Sequence, residues 1–378
     1  MLGKSQRSSS LLIASWCSMD GFTPALQHQT TEDEGIAMLL TLELVVNAPL
    51  SYRDRLLVPD FRLNILAMTD KEAKDQFRFL TRDLQRLVKF LKIPDPVVTK
   101  EGVRARAIDA LGICLRRMLF PQRWIDMAAM FGRAPSTLCH VFYFVVEHLE
   151  KQFSDLMYFD MARIEKNLDR YCHAISSKSP DIIQGVWGFI DGTVRPICRP
   201  GKGQEALYNG HKRVHAFKFQ TVVAPDGIIC HVYGPVDGRR HDIYMLRDSG
   251  LMALLEDNPA FHNKLIFGDP AYGCTNVFCS PFKGCRVNAP QHAVNAAMSK
   301  VRVSVEWSYG EITRYFSYLD FKRQQQVGMT PVATLYKIGI LLTNCITIAN
   351  GGNNNSKYFN CAPPTFEEYF FLTSETTC

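Results

Sequence analysis

Apolar positions recur along this chain in two rhythms, and the change of rhythm divides it. From about residue 70 the spacing is helical. Thr81 is placed to cap a helix whose Leu84, Leu87, Val88 and Leu91 share one face, and Pro94 and Pro96 end it. A second helix runs from about Val103, with Ile108, Leu111, Leu115 and Leu119 as its inner stripe, and stops before Pro121. A tight pair follows: Arg123 to Met130, the break Phe131-Gly132-Arg133, then a helix opening near Pro135 and continuing past His148. Two helices joined by a short Gly-containing turn form a helix-turn-helix arrangement, with Ser136 and Thr137 where groove contacts would lie. Helical bundles contain the same turn, and Leu138, Val141, Phe142 and Val145 would serve packing in either case.

After a polar stretch around Ser176 to Pro180 the rhythm shortens to that of strands. Val186 to Ile190 is an apolar run ending on Asp191. His215 to Val223 alternates, Pro225-Asp226-Gly227 is a turn, and Ile228 to Tyr233 returns as a hairpin strand. Asp242 to Leu255 reads as a helix, and Lys264 to Gly268 as a buried strand ending on Asp269. A helix through Val301 to Tyr315 carries Glu306, and a last one runs from Pro331 to about Ala349. Strand, hairpin, helix, strand, helix is the order of a layered α/β domain. The expected organisation is therefore an N-terminal segment over 1–70, partly disordered, and a helical region with the helix-turn-helix over 71–175. The α/β domain spans 185–350, and 351–378 is a tail in which Gly351 to Ser356 is a polar spacer. Within the first segment, residues 1–35 lack periodicity, whereas Ile36 to Leu50 reads as a buried helix.

Bulk composition adds little by itself. A net charge of +6 is mild, and 47% hydrophobic content supports a large core in 378 residues. Distribution is more informative, because nine Lys/Arg stand against five Asp/Glu between Asp191 and Arg247. Acids embedded in a basic stretch suit an anionic substrate such as a phosphate backbone. The candidates for phosphate contact are Arg195, Arg199, Lys202, Lys212, Arg213, Arg239 and Arg240. The twelve cysteines are scattered through apolar stretches and read as free buried thiols; Cys274, Cys279 and Cys285 lack zinc-ligand spacing. No run is expected to reach the length of a membrane span. Leu11 to Cys17, behind Lys4 and Arg7, is short for a secretory signal.

The candidate chemistry lies in three acids. Asp191 and Asp269 each follow an apolar run, so each is expected at the C-terminal end of a central strand, aimed at the crevice where α/β folds bind ligands. Gly192 and Gly268 beside them would leave room for a backbone or a phosphate. Two such aspartates on adjacent strands repel unless a cation bridges them, and oxygen-only ligands suit Mg²⁺ or Mn²⁺. A third carboxylate from a helix, Glu306, would complete a two-ion site with the ions about 3.5–4 Å apart. Taken singly, Asp191 is equally an Asp-Gly turn residue, Asp269 a loop cap and Glu306 a surface charge. Only their joint placement favours a site.

The same residues carry a family resemblance. Gly188-Phe-Ile-Asp191-Gly-Thr193, Tyr208-Asn-Gly-His-Lys212, Phe217-Lys-Phe-Gln220, Gly238-Arg-Arg-His241-Asp242, Leu265-Ile-Phe-Gly-Asp269-Pro-Ala-Tyr272, Arg302-Val-Ser-Val-Glu306-Trp-Ser-Tyr-Gly310 and Arg314-Tyr-Phe316 follow one another as blocks. Together they resemble the PIF/Harbinger DDE superfamily endonuclease domain over about 185–350, and residues 77–150 resemble that family's helix-turn-helix region. The resemblance implies an RNase H-like mixed sheet with flanking helices, preceded by an all-α helix-turn-helix region. It implies Asp191, Asp269 and Glu306 as catalytic, metal-binding triad, holding two divalent ions, Mg²⁺ or Mn²⁺. The implied activity is metal-dependent cleavage and strand transfer at transposon ends. The implied partners are DNA (terminal repeats and target site) and a separate Myb/SANT-like DNA-binding protein; a homo-oligomer is compatible, no membrane is expected, and the setting is the nucleus. Asp242 is either a supporting carboxylate or the cap of the next helix, with the cap favoured. Trp307, Glu311 and Thr313 depart from the basic positions usual there, and Ala134 stands where a Ser cap is usual before the recognition helix. Two rival functions remain in view: a domesticated DNA-binding or scaffold protein that does not cut, and a generic metal-dependent phosphoesterase.

Overall fold

The helical rhythm of the first half is realised as helices packed on one another, and the strand rhythm as one mixed sheet covered on both faces. The computed structural model describes residues 37–39, 41, 58, 61–178, 184–284 and 287–371. Residues Met1–Leu57 and Val58–Cys378 form two separate contact units. In the first, Ala37, Met38, Leu39 and Thr41 are helical and exposed, so the helix expected over Ile36 to Leu50 is not buried where it is described. The rest of that stretch, and residues 1–35, lie outside the described residues.

In the second unit α1 (Asp70–Phe77) begins with a reciprocal cap between Thr69 and Glu72. Helix α2 (Thr81–Phe90) is capped by Leu80, not by Thr81. The Thr81 hydroxyl donates instead to the Met68 carbonyl, and its N–H to the Asp70 carboxylate. A short ladder, β1 (Val97–Val98) with β2 (Arg104–Ala105), occupies the start expected for the second helix, which is α3 (Ala107–Leu119). The tight pair is α4 (Trp124–Phe131) and α5 (Pro135–Tyr158), joined through Gly132 at φ +61°. Left-handed backbone there is the usual glycine solution to a helix end. Ala134 makes no side-chain cap, and Leu138, Val141, Phe142 and Val145 are all buried. Helix α6 (Met161–Ser176) completes this region.

Next come β3 (Val186–Pro196), the short α7 (Gln204–Leu207), β4 (Tyr208–Asn209), β5 (Val214–Val223) and β6 (Ile229–Asp237). Helices α8 (Asp242–Asp248) and α9 (Leu251–Glu256) replace the single helix expected there, because Gly250 at φ +71° breaks the run. Strands β7 (Leu265–Phe267) and β8 (Phe278–Cys279) follow. Helix α10 (Ala289–Tyr315) begins well before Val301, at an Asn288/Gln291 capping box with Pro290 in the first turn. Helix α11 (Val332–Ala349) is long and apolar enough to cross a membrane, contrary to expectation, but most of it is buried within the fold.

Strand β5 pairs antiparallel with β3 and β6, and β4 extends its start. On the other side β3 runs parallel to β7, and β7 to β8. Although β5 alternates in sequence, neither of its faces is solvated there: Lys218 and Gln220 are as buried as Phe219 and Thr221. Helices α10 and α11 cover the face bearing Phe219 and Thr221, while α8 and the end of α5 meet the face bearing Lys218 and Gln220.

The polar spacer after Gly351 is a structural joint. Asn353 caps α12 (Asn354–Phe359), and Asn353, Asn355 and Ser356 are buried. Helix α13 (Phe366–Phe371) stacks Phe366 and Phe370 on Phe90 of α2. One apolar cluster runs from Ile65 through the sheet to Phe370, across the sequence limits expected at 175–185 and 350.

Candidate active site

Strand register places the first two acids. The parallel pairing of β3 with β7 ends at Phe189↔Phe267. Asp191 and Asp269 each lie two residues beyond that pair, so the continued register sets them side by side. Asp191 is not at a strand end, however. Strand β3 continues to Pro196 against β5, and Asp191 pairs with Thr221. The half-open position comes from the neighbour, since β7 stops and β3 does not. An Asp-Gly turn is thereby excluded, and the Asp191 Oδ1 accepts from the Gly192 N–H at 2.9 Å. Asp269 does cap its loop: its Oδ1 accepts from Ala271 N–H at 2.8 Å.

Helix α10 is clamped to Asp191 from above. The Tyr309 hydroxyl donates to the Asp191 carbonyl at 2.9 Å and lies 2.6 Å from the Thr221 hydroxyl, which must then donate to it. The Arg302 guanidinium stands 3.5 Å from Asp191 Oδ1. Glu306 is four residues past Arg302 and three before Tyr309, so it rides on the helix face that meets Asp191, and it is exposed. The two glycines serve other purposes than room for a phosphate. A Cβ on Gly192 would stand 2.6 Å from Asp242 Oδ1, and one on Gly268 would stand 2.8 Å from both Ile190 Cγ2 and the Tyr272 ring. They admit a fourth carboxylate and an aromatic wall.

Asp242 is not the cap of α8. His241 holds that position, and the Asp242 carboxylate accepts from Lys218 Nζ. Tyr272 is buried with its hydroxyl unpartnered; burial, Asp242, Tyr309, Asp191 and Asp269 together hold its pKa well above the usual phenol value. Burial pushes Asp191 up to about 6, with Asp269 and Asp242 adding to the rise and Arg302 and the Gly192 N–H opposing it. Asp191 is thus a carboxylate whose charge is costly chiefly because it is buried.

Residues 190–348 match the family described as DDE superfamily endonuclease. The match spans Asp191, Asp269 and Glu306 and supports a DDE transposase-type nuclease domain over those residues. No curated protein and no solved structure matches the chain significantly. The donor set fits a hard divalent cation in chemistry: all-oxygen ligands, two of them aligned by register, with Asp269 raising the cost of charge on Asp191. The three acids are not drawn together around one point. Among the described residues, no group of three or more His, Cys, Asp or Glu is close enough to hold an ion.

Sequence reasoning missed Arg302, Tyr309, Tyr272 and Lys218. The first two were findable, because they lie one helical turn either side of Glu306. Lys218 was hidden by a strand buried on both faces. Glu311, expected to lower positive charge beside DNA, is buried near Asn353 and Asn354 instead, and burial raises its pKa. Trp307 packs edge-on against Tyr358. Among the basic candidates, Arg195 stacks on Tyr336, Arg240 on Tyr244, and Arg199 donates to Gln204. Lys202, Lys212, Arg213 and Arg239 are exposed.

Proposed function

We propose that this protein is a PIF/Harbinger-type transposase whose Asp191, Asp269 and Glu306 hold two divalent ions, Mg²⁺ or Mn²⁺, and that it cuts and joins DNA at transposon ends. The observation that carries the proposal is the register that sets Asp191 beside Asp269 within the span matched to the endonuclease family. The chemistry such ions supply when bound is activation of water or a 3′-hydroxyl and stabilisation of the leaving oxygen. The chain's own groups do the rest. Asp191 and Asp269 provide aligned oxygens, Tyr309 fixes the backbone that carries Asp191, and α10 brings Glu306 to the same face. Lys202, Lys212, Arg213 and Arg239 are the exposed candidates for holding phosphates. The six-stranded mixed sheet, four strands joined antiparallel and extended by two parallel ones, supports an RNase H-like arrangement. Action in the nucleus, beside a Myb/SANT-like DNA-binding protein and as a homo-oligomer, with α4 and α5 as the helix-turn-helix on DNA, completes the proposal.

The test is cleavage of DNA bearing terminal inverted repeats in Mg²⁺. Asp191→Ala, Asp269→Ala and Glu306→Ala should each abolish cutting and leave DNA binding largely intact; cutting that survives all three ends the assignment. A second function is favoured by one observation, that the acids do not close around an ion site: a domesticated DNA-binding or scaffold protein with the same fold. Thermal stability separates the two. Binding linkage raises the melting temperature of a nuclease in millimolar Mg²⁺ or Mn²⁺, whereas a scaffold stays unmoved.

A further inference from the structure

The positive charge facing Asp191 comes from Arg302, and the manner of the contact is informative. A guanidinium paired for structural strength presents its fork to both carboxylate oxygens. Arg302 does not. One Nη stands 3.5 Å from a single oxygen, and Nε is buried without a hydrogen-bond partner. The pair is largely but not fully covered, with the side chains 29% and 17% exposed for Arg302 and Asp191. The contact is therefore loose and under-satisfied, yet it is the ion pair that the structure gives the Asp191 carboxylate. Arg302 also shares a helix face with the exposed Glu306, so a side chain leaving Asp191 has the solvated surface of α10 to move into.

We propose that Arg302 is a displaceable counter-ion: it neutralises Asp191 in the ion-free protein, is expelled when a divalent cation binds there, and then offers its guanidinium to a DNA phosphate. This rests on the assignment of Asp191 as a metal ligand. It makes ion binding and DNA binding mutually favourable, because one cation releases another for use on the nucleic acid.

The test is Mn²⁺ binding to the full chain without DNA, by calorimetry or by the loss of free-ion electron paramagnetic resonance signal. Arg302→Gln, which keeps most of the side-chain bulk and loses the charge, should bind Mn²⁺ roughly tenfold more tightly, because no cationic side chain then competes for Asp191. Arg302→Lys should stay near the wild type, and it replaces the Gln variant as the probe if that one does not fold: removing the fork while keeping the charge must then leave Mn²⁺ affinity within about twofold. A DNA duplex titrated in Ca²⁺ should gain affinity for the wild type over the Ca²⁺-free protein, and lose that gain in the Gln variant. Equal Mn²⁺ affinity in wild type and Arg302→Gln, or weaker binding in the variant, overturns this proposal while leaving the nuclease assignment standing. No Mn²⁺ binding by either protein, with Asp191→Ala indistinguishable from both, overturns the nuclease assignment and this proposal with it.

Discussion

At the scale of single residues, burial decides which titratable groups carry information. His231 is fully buried, and desolvation lowers its pKa to about 4 from the ordinary 6.5. Both ring nitrogens are committed to the neutral form: Nδ1–H donates to the Tyr158 carbonyl, and Nε2 accepts from the Gln220 amide at 3.3 Å. As pH falls the unfolded chain takes this proton first. The contribution is therefore complete above about pH 6.5 and is lost as pH falls toward 4, a swing of roughly 3 kcal/mol. Asp191 works in the opposite sense. Raised to about 6, it takes its proton first in the folded protein and penalises folding as pH rises from about 4 to 6. His231→Gln should thus be less stable than the wild type at pH 7 and show a flatter loss between pH 6.5 and 4. Urea midpoints across that range check it, and parallel profiles would refute it.

At the scale of elements, two joints hold the candidate site. The first is Tyr309, through which α10 grips β3 and β5. Tyr309→Phe keeps the ring and removes one hydroxyl, leaving the Thr221 hydroxyl and the Asp191 carbonyl short of a partner. The expected cost is about 1–3 kcal/mol, with cleavage falling more than DNA binding. A variant with wild-type stability and cleavage would show that α10 is held by apolar packing alone. The second joint is the segment after Gly351. Asn355 donates to Ser308 on α10, Asn344 on α11 donates to the Tyr369 hydroxyl, and Phe366 and Phe370 cover Phe90. A chain ending at Gly351 loses Phe359, Phe366, Tyr369 and Phe370, uncovers the Phe90, Phe153 and Phe189 rings they pack against, and should be insoluble or lack a cooperative melt. Soluble, folded protein of that length would contradict it.

At the scale of the molecule, one buried charge network joins the helical half to the sheet. Arg163 of α6 donates to Asp160 at 2.5 Å, to Asp226 in the β5–β6 turn at 2.7 Å, and to the Tyr171 hydroxyl at 2.8 Å, with all four groups buried. Removing one partner of such a network strands the others. Arg163→Met should cost roughly 3–5 kcal/mol, because Asp160 loses its counter-charge and Asp226 keeps only Arg170 at 3.9 Å, in a medium that solvates carboxylates poorly. Since the same apolar cluster spans both halves, the loss should appear as one shifted unfolding transition, in fluorescence and circular dichroism alike. Two separate transitions would mean that the halves fold independently.

Local order was legible along the chain because it follows from local rules. Helical spacing marked α2 through α5, alternation marked β5, and an Asp after an apolar run marked Asp191 and Asp269. Periodicity, caps and glycine turns act over a few residues, and a single sequence records them. What only the tertiary structure decided concerns neighbours distant in the chain. Strand β7 ends where β3 continues, and this opens Asp191 to one side. A second covered face buries Lys218 and passes Asp242 from α8 to the strand. The residues after Gly351 turn inward, and Arg302 meets Asp191 across more than a hundred residues. Each of these depends on which surfaces burial and charge bring together, and no spacing within one element encodes that choice.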